Sequence, residues 1–166
     1  VPFVPLLAQG WALLPAHRIT LHPLLVGLQA TMRESLWSLY DARGVEMLKE
    51  WLAVPNLKVT ALCDIDKVQL AKGVKQVQQA GQPAPATFSN GERDFENLCK
   101  SDDVDFIYIA TPWDWHAPMA IEAMTNGKHC GVEVPVIVTL KEAWDIVDTS
   151  ERTRRHCLIM ENCCYG

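Results

Sequence analysis

From Gly44 onward the apolar positions change period along the chain, from the single face of a helix to short continuous runs and back again. Met47, Leu48, Trp51 and Leu52 fall on one helical face, which predicts a helix over residues 45–53 that Pro55 and Asn56 end. Residues 57–63 (LKVTALC) follow as a strand closing on Asp64, and Asp66 is placed to cap a helix running to about Ala80. Residues 81–91, with Pro83 and Pro85, read as a loop, and residues 95–98 as a short helix. After a turn at Ser101, Asp102 and Asp103 comes a strand over residues 104–110 (VDFIYIA). It is apolar nearly throughout, as expected where helices cover both faces of a parallel sheet. Pro118 suits the first turn of the next helix and Asn126-Gly127 its stop. A strand over 129–133 follows, then a capping-box spacing of Thr139 and Glu142 before a helix to about Glu151, then a last strand over 156–161. This alternation predicts βαβ units: an α/β fold of the Rossmann type, with a doubly wound parallel sheet.

The first 43 residues join this pattern poorly. Residues 19–28 (ITLHPLLVGL) read as a strand, but Pro23 would confine it to an edge or break it, whereas a Rossmann sheet needs its first strand in the centre. The apolar stretch 1–14 is interrupted by Pro2 and Pro5, has no basic residues before it and is too short to span a membrane. The absence of an initiating Met hints at a fragment, and localisation stays open.

Composition narrows the function classes without choosing one. The chain has 166 residues, 49% hydrophobic and 21% charged, which fits one globular domain and excludes disorder, collagen and coiled coil. A net charge of −5 and the lack of a long Lys/Arg cluster give no footprint for nucleic acid, and Arg152, Arg154 and Arg155 read as a solvated helix end. The six cysteines, at 63, 99, 130, 157, 163 and 164, form no Cys-x-x-Cys pair, so no metal site is expected, only reduced thiols in apolar runs.

Four constellations carry candidate chemistry. Asp64 lies about 20 residues after Gly44, at the carboxyl end of the second strand, where a dinucleotide fold places the acid that binds the ribose hydroxyls. A carboxylate there repels a 2′-phosphate and so favours NAD over NADP; alone, Asp64 reads equally well as a polar strand end. The glycine fingerprint itself is defective: if Arg43-Gly44 ends a G-x-G-x-R-G motif, Leu39 and Asp41 stand where its first two glycines belong. Residues 110–116 (ATPWDWH), read as a loop, 131–135 (GVEVP) and 161–166 (ENCCYG) each follow a predicted strand and are expected at one sheet edge, lining one cleft.

These phrases, with ALCDID at 61–66, resemble the Gfo/Idh/MocA oxidoreductase superfamily and within it are most similar to glycoside hydrolase family 109, over about three quarters of the chain from Arg43 on. The resemblance implies an NAD cofactor, with Ala42, Arg43 and Gly44 by the phosphates and Asp64 by the adenosine ribose. Trp113, Asp114, Trp115 and His116 would run along the dinucleotide, with Glu133, Val134 and Asn162 near the nicotinamide. Ordinary dehydrogenases of the superfamily carry Glu-Lys-Pro where this chain has Glu133-Val134-Pro135, and Val134 moves no proton. The implied chemistry is hydrolysis of α-N-acetylgalactosaminides by oxidation, elimination, addition and reduction with recycled NAD, outside the two-carboxylate scheme. Tyr165 is the candidate proton-handling or substrate-binding group; the family's other catalytic groups belong to a C-terminal domain.

The expected organisation is thus an atypical segment 1–42, whether authentic or aberrant, and an NAD-binding Rossmann domain 43–166 truncated before its substrate domain, the chain itself turning over little or nothing. Expected partners are a small-molecule glycoside, with no nucleic acid and no membrane span; a homo-oligomer stays open. The alternatives are a sugar dehydrogenase of the same superfamily and a degenerate fragment that binds no dinucleotide.

Overall fold

The structure is a computed structural model that describes residues 21–24 and 38–161. Among these residues six strands and five helices alternate: β1 (Leu21–Leu24), α1 (Ser38–Leu52), β2 (Ala61–Cys63), α2 (Lys67–Gln79), β3 (Ala86–Phe88), α3 (Phe95–Cys99), β4 (Phe106–Ile109), α4 (Trp113–Thr125), β5 (His129–Val132), α5 (Leu140–Thr153) and β6 (Cys157–Ile159). The strands form one parallel sheet in the order β3-β2-β1-β4-β5-β6. This is the strand order of dinucleotide-binding folds, and it sets the carboxyl ends of all the strands along one edge.

Alternation within each strand divides the core. Ala61, Cys63, Ile107, Ile109, Cys130 and Val132 face α3 and α4, while Leu62, Phe106 and Tyr108 face α1 and α2. Both sets are apolar and buried because helices cover both faces, which is why the strands read as continuous apolar runs. Gly131 exists for close approach: a Cβ there would lie 2.9 Å from Phe106 Cζ and 3.1 Å from Met160 Sδ. Gly127, at φ +79, terminates α4 in a conformation that other residues adopt only with strain.

Local signals placed several boundaries well. Asp66 caps α2, accepting from the N–H groups of Val68 and Gln69, and α2 ends at Ala80. Thr139 and Glu142 form the full capping box of α5. Thr139→Ala is expected to cost about 1 kcal/mol, read as a lower urea midpoint at unchanged slope.

Other expectations are corrected. Pro23 does not push its strand to an edge: β1 lies between β2 and β4, with Pro23 paired in register to Tyr108. A four-residue parallel strand tolerates this because only one N–H is forfeited. The boundary placed at residues 42/43 therefore falls inside α1, and β1 belongs to the same sheet as the rest. The second strand starts later than expected because the Gln82 carboxamide takes its backbone groups, accepting from Val59 N at 2.8 Å and donating to the Leu57 carbonyl at 2.9 Å. The loop over residues 81–91 contains β3, a three-residue edge strand whose mostly exposed side chains leave no apolar alternation to read. Pro118 lies inside α4, not in its first turn, because the helix starts at Trp113. Its missing N–H would have met only the Asp114 carbonyl, still in the opening turn.

Candidate functional site

The carboxyl edge of the sheet gathers residues from five segments. Asp64 ends β2 at 4% exposure; its N–H donates to the Phe88 carbonyl at 3.1 Å, and its Oδ1 accepts from the Asp66 N–H at 2.8 Å. Beside it, Asp94 accepts from the Asn90 N–H and from Asn97 Nδ2, each at 2.8 Å. Burial works to raise the Asp94 carboxyl, but these bonds outweigh it and hold the group below its ordinary value. Cys63, just behind, has its thiol pushed well above the ordinary range by burial and then by the negative charge of Asp94 and Asp64. This end of the edge is therefore acidic, with Asp94 contributing a charge that the linear spacing did not reveal.

Residues 113–116 are not a loop, as the sequence suggested, but the first turn of α4, opened by the Trp115 N–H donating to the Pro112 carbonyl at 2.9 Å. The turn distributes its side chains unequally. Trp113 is 48% exposed, and Asp114 is exposed where a negative charge suits a helix N-terminus. Trp115 turns inward and packs edge-on against Phe95, ring centroids 5.8 Å apart. His116 is buried, its Nδ1 2.7 Å from the Pro135 carbonyl and its Nε2 2.7 Å from the Thr111 carbonyl. The imidazole thus straps the segment after β5 to the segment after β4. Both ring nitrogens are engaged by the protein, which makes His116 a brace behind the site.

At the end of β5 the Glu133 N–H donates to the Ile109 carbonyl at 3.0 Å, and the Glu133 carboxylate accepts from the hydroxyl of Tyr108. Tyr108 is fully buried on β4, its ring edge-on to Trp51 at 5.5 Å. It is a site-organising residue that sequence reasoning missed: it lies inside an apolar strand, and its polar partner is 25 residues away. Val134 is 39% exposed beside Glu133. The Met160 N–H donates to the Val132 carbonyl at 2.9 Å, which brings Glu161 to the same edge.

Not every expected residue joins this arrangement. Gly44 is buried within α1, and the backbone of Ala42 and Arg43 is helical; so are positions 39 and 41, where a glycine-rich turn would stand. Asn162 and Tyr165, with Cys163 and Cys164, lie outside the described residues. The described residues include no cluster of three or more His, Cys, Asp or Glu able to hold a metal ion, and no helix long and apolar enough to cross a membrane.

A dinucleotide fits what is present at its two ends. A carboxylate closes the strand beside β1, as ribose hydroxyls require, and Trp113 and Glu133 stand along the edge toward the other end. The helical stretch at Leu39–Gly44 supplies no glycine turn for the pyrophosphate.

Residues 41–161 match the family described as "Oxidoreductase family, NAD-binding Rossmann fold". A glycosyl hydrolase family 109 protein of Saccharopolyspora erythraea is 55% identical over 75% of this chain and 27% of its own length. An α-N-acetylgalactosaminidase of Bacteroides fragilis is 42% identical over 74% of this chain and 29% of its own. The chain thus spans little more than a quarter of the curated relatives it matches. Among solved structures, an NAD-binding protein from Listeria innocua is similar at TM-score 0.62 and 24% identity, over 89% of this chain and 36% of that one. The WlbA dehydrogenase of Chromobacterium violaceum, solved with NADH and UDP-GlcNAcA, is similar at TM-score 0.61 and 15% identity, over 88% and 36%. With the strand order, the acidic end of β2 and a family match over most of its length, the chain belongs to the Gfo/Idh/MocA oxidoreductase family, whose NAD-binding Rossmann fold it carries.

Proposed function

We propose that this chain is the cofactor half of an NAD-dependent glycosidase acting on α-N-acetylgalactosaminides. The observation that carries the reading is the pairing of 55% identity to a family 109 glycosidase with Val134, a side chain that moves no proton, next to the anchored Glu133. A sugar dehydrogenase of the same superfamily would use a lysine at that place, so Val134 weighs against it.

In this reading Asp64 accepts hydrogen bonds from the adenosine ribose hydroxyls, and the acidic pair Asp64 and Asp94 disfavours a 2′-phosphate. Trp113, exposed at the head of α4, covers the dinucleotide from one side, and Asp114 and Trp115 shape the turn that presents it. Glu133, fixed by Tyr108, and Val134 stand at the nicotinamide end, with Asn162 assigned there too. Bound NAD⁺ supplies a hydride acceptor that the reaction later restores, the protein orienting it and handling protons. Since Val134 carries no ionisable group, proton transfer falls to residues such as Tyr165 and to groups a longer polypeptide would add. The small-molecule partner is a glycoside.

Calorimetric titration of the chain tests this. NAD⁺ is expected to bind more tightly than NADP⁺. Asp64→Ala is expected to weaken NAD⁺ by roughly 10- to 150-fold, the loss of about 1.5–3 kcal/mol from hydrogen bonds to a charged acceptor. No heat at millimolar NAD⁺ would overturn the proposal in favour of a fragment that binds no dinucleotide. An aryl α-N-acetylgalactosaminide is expected to be turned over little or not at all by this chain alone.

A further inference from the structure

The outer pair of strands holds a feature that the cofactor reading does not use. β6 is the last strand of the sheet, and its register on β5 sets Cys157 directly beside Cys130. Paired residues of a parallel ladder project to the same face, and both cysteines belong to the core packed under α3 and α4. Strands lie about 4.8 Å apart, which places paired Cα atoms within the roughly 4.4–6.8 Å that a disulfide spans. Closing the bond requires the two Cβ atoms to draw together, and a three-residue edge strand bonded on one side only is the part of the sheet that yields most easily.

The two thiols are unequal. Cys130 is fully buried, whereas Cys157 is partly open at the sheet edge. The neighbouring Cys130 thiol holds Cys157 below its ordinary value against the opposing effect of burial. The same neighbour, with burial, raises Cys130, whose thiol donates to the Ala120 carbonyl at 4.0 Å. Cys63 and Cys99 are buried, and burial pushes Cys99 up to about 12. One accessible sulfur with a supported thiolate, and a second thiol in register beside it, is the arrangement of an attacking and a resolving cysteine.

We propose that Cys130 and Cys157 are a peroxide-sensitive thiol pair that closes to a disulfide between β5 and β6. The Cys157 thiolate attacks a peroxide oxygen: an S–O bond forms, the O–O bond breaks, and the leaving hydroxide or alkoxide takes a proton. The Cys130 sulfur then attacks Cys157, the S–S bond forms, the S–O bond breaks, and water departs with the Cys130 proton. Two thiols lose two electrons and the peroxide gains them. The product ties β6 to β5, the strand that leads into Glu133, so oxidation stiffens this end of the candidate site.

The test is peptide mapping of the full chain after hydrogen peroxide, with free thiols blocked by maleimide and digestion without reductant. The expected product is a cross-link between the peptides carrying Cys130 and Cys157, with Cys63 and Cys99 labelled only after unfolding. Before oxidation, Cys157 is expected to react with maleimide in the folded chain, whereas Cys99 reacts only after unfolding, as thiolate fraction and access dictate. In Cys130→Ser, dimedone should trap a sulfenic acid on Cys157; in Cys157→Ser the cross-link should vanish. Cys157 paired with Cys163 or Cys164, oxidised alone to sulfinic acid in the unaltered chain, or left unreacted would each overturn the proposal. Because the unaltered chain decides the matter, a variant that fails to fold does not weaken the test.

Discussion

His116→Ala is expected to lower stability by about 3–5 kcal/mol: a buried ring is deleted, and two carbonyls lose the group between them. The Thr111 and Pro135 carbonyls accept but cannot donate to each other, so neither can replace the imidazole. For a domain whose total stability is of order 5–15 kcal/mol this is a large fraction. The urea midpoint should fall sharply with the slope nearly unchanged. Because the ring joins the segments after β4 and β5, NAD⁺ affinity should fall as well, in a variant that has lost no group placed against the cofactor. His116→Gln, long enough to donate to one of the two carbonyls, should recover part of the stability. If His116→Ala unfolds at the same urea concentration as the unaltered chain, the brace assigned to His116 does not exist.

That brace shows where linear reading stops. In the sequence ATPWDWH reads as a loop, and His116 as one of its polar residues. The partners that bury it are the Thr111 carbonyl close by and the Pro135 carbonyl 19 residues on, and only the fold brings the second into reach. Features coded within a few residues were legible: Asp66 and its two N–H donors, the Thr139–Glu142 box, the apolar β4 and the stop at Asn126-Gly127. The place of Asp64 at the carboxyl end of β2 was legible too, since the apolar run LKVTALC ends on it. The place of β1 was not, because local chemistry counts Pro23 against a central strand while the sheet requires only that its neighbours accept one missing donor. Nor was β3, held by its register to β2 and by the Ala86 N–H donating to the Thr60 carbonyl at 2.8 Å. The start of α1 at Ser38 belongs to the same class: Leu39 and Asp41, wrong for a glycine turn, raise no objection within a helix.

Tyr108 allows packing and polar positioning to be separated within one side chain. Tyr108→Phe keeps the ring against Trp51 and removes only the hydroxyl that donates to Glu133. Its expected cost in stability is about 0.5–1.5 kcal/mol, that of a hydrogen bond whose acceptor is at the sheet edge and able to recruit water. Tyr108→Ala also empties the space between α1 and β4, where the ring is fully buried, and is expected to cost about 3–5 kcal/mol. Ligand affinity should not follow stability in this pair. With Glu133 at the nicotinamide end, Tyr108→Phe should weaken NAD⁺ severalfold while leaving ADP-ribose, which lacks the nicotinamide, unchanged. Equal weakening of both ligands would mean that the hydroxyl acts through the whole sheet and does not position Glu133. The contrast works because Tyr108 stands where two requirements of the fold meet: its ring fills the α1 face of a central strand, and its one polar atom reaches the edge where chemistry is expected. A phenylalanine would meet the first requirement alone, and an apolar core gives no reason for a tyrosine unless its hydroxyl has a partner.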